Sequence, residues 1–256
     1  MAKQTKKLSA QPTVTTVTTA QKFPMADANG NVTLISLADL KKAIMGGINI
    51  NGIEDGVFIM YHRKSDNFPL MVKPHKWTNL QNSGEIADGV VIVEGGHVLV
   101  VAPTESTLLW SSAAISGGGT TTTDRVTAIA DWNGKANTAS QIGKSSSSAV
   151  TNTASYAPGF CNLYSRENAN GKGLTAGKWW LPSMGEMMMI YANMTKVNYA
   201  LSLINGATQL AETWYWTSTE YSASLAWSLT LGHGLVGNYA KAANQGRLRP
   251  VSAFIS

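Results

Sequence analysis

The run "GVVIVEGGHVLVVAP", residues 89–103, leaves the chain few ways to fold there. Two blocks of β-branched residues meet at Gly95-Gly96, a pair that tolerates the positive φ angles of a tight hairpin turn. The expected result is two antiparallel strands. "GVFIMYH", from Gly56, has the same character, and strand signals return after Gly206 in "TWYWTSTE", "LAWSLTL" and "RLRPVSAFIS". Helical spacing fills the interval between. One helix is expected near "NGKANTASQIG", and another over "SYAPGFCNLYSREN", where Ala157, Phe160, Cys161 and Tyr164 share a face. Ser183 and Glu186 stand at capping-box spacing before "MMMIYANM", and "KVNYALSLIN" ends at Gly206. Helices in the middle and strands at both ends predict an α+β fold.

The N-terminal end reads differently. Residues 1–22 are polar, Thr-rich and basic, with too little apolar surface to offset ordering entropy, and are expected to form a flexible arm. Residues 23–83 are expected to form a small β-rich attachment region. It has a turn at Asn29-Gly30, a short strand, and a helix with Ser36 as N-cap and Gly46-Gly47 as its stop. The stretch "SGGGTTTTDR", 116–125, is a loop by composition.

Charge and cysteine usage exclude several functions. Charged residues make up only 14% of the chain and there are 24 glycines, which suits a loop-rich protein that hides surface in an assembly. The net charge of +5 includes Lys3, Lys6 and Lys7, so the body carries no clustered basic face for nucleic acid. Cys161 is the single cysteine, which rules out an intramolecular disulfide and a Cys-rich zinc site. "MAKQTKKLSAQPTVTT" lacks the apolar region of a signal peptide, and no stretch is apolar enough to insert in a membrane. Synthesis in a cytoplasm without secretion is expected.

No catalytic set stands out. His62, His75, His97 and His233 lack metal-ligand spacing, and there is no nucleophile elbow or phosphate-binding loop. Glu186 is accounted for as a helix cap. The expectation is therefore no enzyme, no cofactor and no metal. Trp179, Trp180, Trp214, Trp216 and Trp227 are expected mainly in the core, the alternative being a sugar-stacking platform. In "AWSLTL" the alternation turns Trp227, Leu229 and Leu231 inward and Ser228 and Thr230 outward. The outward set joins Tyr221–Leu225 and "GHGLVGNYAKAANQG" in a surface of Tyr, Ser, Gly and Asn, a composition suited to adaptable recognition.

"DWNGKANTA", "WWLPSMGEMMMIYANMTKVNYAL", "YWTSTE" and "RLRPVSAF" resemble retroelement-diversified variable proteins of gut Bacteroides and their phages. That resemblance implies a C-type-lectin-like domain over 84–256, of the formylglycine-generating-enzyme type, with a variable segment at 215–251. Trp216, Ser218, Glu220, Trp227, Arg249 and Pro250 match fixed family positions. Variable positions in the family derive from adenine-rich codons, and between Tyr221 and Gly246 only Trp227, Lys241 and Gln245 fall outside the accessible residue types.

The resemblance implies a phage tail-associated receptor-binding protein, located in the virion and forming a homotrimer. Its partners would be a host-cell surface receptor, protein or glycan, and other tail proteins through the N-terminal region. The alternative is a bacterial surface or secreted adhesin. The implied ligand-binding residues are Tyr221, Ser222, Ala223, Ser224, Ser228, Thr230, His233, Asn238, Tyr239, Ala242, Ala243 and Asn244, with Tyr221 and Tyr239 as anchors. Two family properties do not carry over: no cysteine follows Cys161 to support oxidase chemistry, and no Glu-Pro-Asn or Gln-Pro-Asp motif supports calcium-dependent sugar binding.

Overall fold

The structure, a computed structural model, describes residues 22–26, 32–36 and 54–254. The chain divides into two compact units, Met1–Gly52 and Ile53–Ser256. In the first, β1 (Lys22–Ala26) and β2 (Val32–Ser36) pair antiparallel, with Ala26 opposite Val32 and Lys22 opposite Ser36. The arm expected at 1–22 lies outside the described residues except for Lys22, and so does the helix expected after Ser36.

The second unit is built on two sheets. β3 (Gly56–His62) pairs with β4 (Pro69–Val72), and a 3-10 turn at Pro74–Lys76 leads into α1 (Trp77–Asn82). β5 (Ala87–Glu94) and β6 (His97–Val101) form the hairpin at Gly95-Gly96, whose φ angles are 56° and 81°. β7 (Ser106–Leu108) follows. Then come α2 (Arg125–Ile129), α3 (Gly134–Gly143), α4 (Ala157–Leu163) and the two-residue strands β8 (Arg166–Glu167), β9 (Gly173–Leu174) and β10 (Trp179–Trp180). α5 (Met184–Ala192) and α6 (Met194–Ser202) precede β11 (Trp214–Glu220), β12 (Leu225–Thr230), β13 (Leu235–Ala240), β14 (Gly246–Leu248) and β15 (Val251–Ser252). The six-stranded sheet has the order β10-β15-β6-β5-β3-β4, and the five-stranded sheet the order β13-β12-β11-β14-β7.

This corrects the expected fold class. The α+β, C-type-lectin-like architecture gives way to a β-rich one in which the strands carry the layers. The helices are short, the longest in this unit having ten residues. α1 buries only Trp77, and α3, the longest, buries Asn137, Thr138 and Gln141 instead of an apolar stripe, so the helices do not replace a sheet as a layer. β3 and β5 are paired along their length, so strands from either side of the boundary expected at residue 83 share one sheet.

Burial on both faces explains why the first strands read as nearly unbroken apolar runs. Ile59, Val90, Ile92, Leu99 and Val101 face the main core, while Met60, Val91 and Val100 are equally buried on the opposite side. Tyr215, Trp227, Leu229 and Val236 of the five-stranded sheet meet that same core, as do Leu231 just past β12 and Met184, Met187 and Ile190 of α5. The methionine run is thus core filling. The other face of the five-stranded sheet carries a second, smaller core of Trp110, Ala157, Cys161, Leu181, Trp216, Ala226 and Leu248. Burial there pushes the Cys161 thiol well above its usual range.

α5 begins at a reciprocal capping box between Ser183 and Glu186. Glu186 is buried and accepts from the Ser183 backbone N–H at 2.8 Å and from the Trp180 indole at 3.1 Å. Gly134 lets α3 start against it, since a Cβ there would lie 2.0 Å from Glu186 Oε2. Loss of water outweighs these hydrogen bonds and raises the Glu186 pKa from 4.5 to about 7. The folded state therefore holds a proton that the unfolded chain releases. Stability from this group is full below pH 4.5 and is lost as pH rises to about 7, by about 3 kcal/mol. Denaturant titrations from pH 4 to pH 8 are expected to show this decline, and Glu186→Gln, which still caps, to flatten it.

Candidate functional site

The segment 215–251 contributes all of β11 but Trp214, all of β12, β13 and β14, and the first residue of β15, so its loops lie at the two ends of the five-stranded sheet. At one end, Tyr221 and Ser222 both donate their backbone N–H to Leu225 O, at 3.0 and 3.1 Å. Ser222 Oγ accepts from the N–H groups of Ser224 and Leu225. The loop after β13 closes on itself through Ala243 and Asn244, which donate to Ala240 O. Lys241 N then donates to Ser224 O at 3.0 Å, joining the two loops.

Beneath this junction lies a fully buried ion pair. Lys241 Nζ is 2.5 Å from Glu220 Oε2, and both side chains have zero exposure. The ammonium also donates to Ile115 O at 2.7 Å, Ser222 O at 3.0 Å and Ala223 O at 3.3 Å. It sits 4.4 Å from the centre of the Trp110 ring, a cation–π distance. Burial lowers the Lys241 pKa, an effect opposed by Glu220. Glu220 Oε2 additionally accepts from Gly117 N at 2.9 Å. A Cβ at Gly117 would lie 2.6 Å from Glu220 Oε1 and 2.5 Å from Gln141 Cγ, so this approach requires glycine.

The loop "SGGGTTTTDR" is drawn in by the same residue. Glu220 N donates to Thr120 O, and Thr122 N donates to Glu220 O, both at 2.9 Å. Trp227 Nε1 reaches Thr122 O at 2.8 Å. Three loops, around 111–124, 221–225 and 240–246, thus meet over one ion pair. Lys241, Glu220 and the 116–122 loop were not among the expected site residues. A lysine at a surface-coded position and a Gly/Thr loop give no pattern from which burial could be read.

The twelve expected ligand residues do not form one patch. Ala223, Ser224, Ala242 and Ala243 are exposed at the three-loop end, with Ser222 and Asn244 half-buried beside them. Tyr221 is half-buried with its ring edge against Trp227, centroids 5.0 Å apart. Asn238, opposite Trp227, and Tyr239, opposite Ala226, point to different faces of the sheet. His233 is exposed in the turn at the other end, and half-buried Thr230 closes β12 there. The six residues of β12 separate these two ends by about 17 Å.

Ser228 is the correction. It was expected to face out, yet it is 1% exposed. Trp214 on β11 and Tyr239 on β13 stack at 4.3 Å, and rings from strands flanking β12 can meet only over its middle residue on that face, which is Ser228. Trp216 sits edge-on to Trp214 at 4.9 Å. Trp179, Trp180, Trp216 and Trp227 are buried, which leaves Trp214 half-buried as the accessible member of that group.

The frame is closed by a second charged cluster. Arg249, fully buried, donates to Glu105 at 2.6 Å and to Ala102 O and Thr208 O at 3.0 Å. Arg247 also meets Glu105. Tyr215 donates to Glu105 at 2.8 Å, and burial raises its pKa to about 12. A cleft of about 470 Å³ lined by Gln81, Glu85, Arg166 and Asn205 contains no residue of 215–251. Among the described residues no group of three His, Cys, Asp or Glu is placed to hold a metal.

No family model matches the chain, and no curated protein matches it. The crystal structure of a fimbrial protein from Bacteroides ovatus ATCC 8483 is similar at a TM-score of 0.42 and 16% sequence identity. The match covers 61% of this chain and 36% of that one, so the chain spans about a third of that protein's length.

Removing one member of the buried pair leaves the other charged and unpaired. Lys241→Met is expected to cost about 3–5 kcal/mol in denaturant unfolding. Amide exchange should rise at Ser222–Leu225 and Gly117, and a loss under 1 kcal/mol would overturn the assigned role of the pair.

Proposed function

We propose that the chain is a receptor-binding protein whose three-loop end is a diversifiable recognition surface, carried on a phage tail for host-cell attachment. The observation that carries this reading is the separation of frame from surface at the Lys241–Glu220 pair. The loops are held by main-chain hydrogen bonds, the Ser222 hydroxyl and buried groups; the exposed side chains of Ala223, Ala242 and Ala243 take no part in holding them, and Ser224 Oγ adds only a long 3.4 Å contact to Ser222 Oγ. Such side chains can be exchanged at little cost to folding, which is what a varied binding surface requires.

The family resemblance supports the same reading. Its fixed positions Trp216, Ser218, Glu220, Trp227, Arg249 and Pro250 are all buried. Trp227 and Lys241, two of the three residues outside the adenine-accessible set, are buried too. Recognition would centre on Ser222–Ser224 and Ala242–Asn244, with Tyr221 as the aromatic anchor at the margin. Thr230 and His233, at the opposite sheet end, fall outside this surface, and Ser228 belongs to the frame.

Two tests bear on the reading. Replacing Ala223, Ser224, Ala242 and Ala243 together by Lys is expected to change unfolding free energy by no more than about 1 kcal/mol. The same change should abolish binding of the labelled protein to host cells that adsorb the parent. Unchanged binding would sink the surface assignment. A second test is genomic: a near-copy of the 215–251 coding region should differ from it only at template adenines.

A further inference from the structure

We propose that β13 is a dimerisation strand, pairing antiparallel with β13 of a second copy of this chain about a two-fold axis at Gly237. The proposal is independent of what the three-loop end binds.

The two large sheets present four edges, and three are blunted in recognised ways. β10 has two residues and β7 three, too short to template another strand. β4 has four residues and opens on Pro69, which has no N–H to offer. β13 differs on every count. It has six residues, "LVGNYA", with no proline and no charged side chain. Its register with β12 runs unbroken from Leu225↔Ala240 to Thr230↔Leu235, so no bulge twists it away. Among the described residues no strand covers its outer side. Ala240 O is taken by the turn that follows, through Ala243 and Asn244, and the outward N–H and C=O groups before it are satisfied best by another extended backbone.

The side chains favour a second copy as that backbone. Leu235, Gly237 and Tyr239 share one face of the strand, with Leu235 and Tyr239 equally spaced about Gly237. A two-fold axis perpendicular to the sheet keeps this face on the same side in both copies. Centred on Gly237, it sets Leu235 directly opposite Tyr239 of the second copy, and does so twice. Leu235 is 54% exposed and Tyr239 half-buried, so each gains an apolar neighbour at cross-strand distance. Val236 faces Asn238 of the second copy, and no like charges meet. The pairing is two-fold and self-complementary, in contrast to the trimer implied by the family resemblance.

Gly237 gives a clean test, because a Cβ there meets only Ser228 Oγ at an ordinary 3.6 Å and the monomer can accept a side chain. The full chain is expected to sediment at twice its 27.2 kDa. Gly237→Lys and Gly237→Glu place like charges face to face at the axis, and each should sediment as a monomer with unchanged circular dichroism. Mixing the two variants should restore the dimer, since Lys then faces Glu. A monomeric or trimeric parent would overturn the proposal, as would dimers of both variants alone or a mixture that stays monomeric.

Discussion

The geometry of the three-loop end depends on one ammonium group. Lys241 Nζ serves Glu220, Ile115 O, Ser222 O and Ala223 O at once, against the ring of Trp110. A charge pair with no exposure gains little net stability, because two ions must be stripped of water to form it. Its effect is on shape. With a carboxylate on one side and carbonyls from two loops on the other, the ammonium has one arrangement in which nothing is left unsatisfied. Another course of residues 221–225 would take away the Ser222 and Ala223 carbonyls and leave the buried ammonium with fewer acceptors, which is more costly than an unfilled apolar contact. The loops are thus fixed from beneath, and the exposed side chains of Ala223, Ala242 and Ala243 are free of structural duty.

Parts of this were legible in the sequence, and the parts that were not share a cause. Gly95-Gly96 between two β-branched blocks marked a hairpin, because few residues accept its φ angles. The spacing of Ser183 and Glu186 marked a helix start for an equally local reason. Trp227, Leu229 and Leu231 were read correctly as core, since alternation identifies a buried face. The same alternation failed at Ser228 because it assumes that the opposite face meets solvent. Here Trp214, Trp216 and Tyr239 cover that face, and they come from strands whose pairing no local pattern specifies. The fold class was misread in the same manner: helical spacing was present, but the helices proved too short to form layers beside two sheets.

Small residues in 215–251 have two distinct explanations, and burial tells them apart. Ser228 is small because aromatic rings meet above it, and Gly246 because a Cβ there would lie 2.1 Å from the ring of Trp214. Neither could vary without displacing what it touches. Ala223, Ala242 and Ala243 are small with solvent above them and backbone hydrogen bonds around them. Composition merges these groups into one indistinct stretch. The structure divides it into a frame intolerant of change and a surface indifferent to it, and the dividing line passes between adjacent residues, as at Lys241 and Ala242.

An uncovered β13 is consistent with that division. Strand pairing at an edge draws much of its energy from main-chain groups, so an assembly contact can lie within a varied segment and tolerate exchanges that bring no like charges face to face at the two-fold axis. Pairing is antiparallel, and the three-loop end of each copy lies at the C-terminal end of β13. The two recognition surfaces therefore emerge at opposite ends of one continuous sheet, neither covered by the contact that joins them. A trimeric arrangement would point its surfaces the same way; a two-fold one directs them apart, so each recognition surface engages its receptor singly and the contact adds no avidity toward one flat surface.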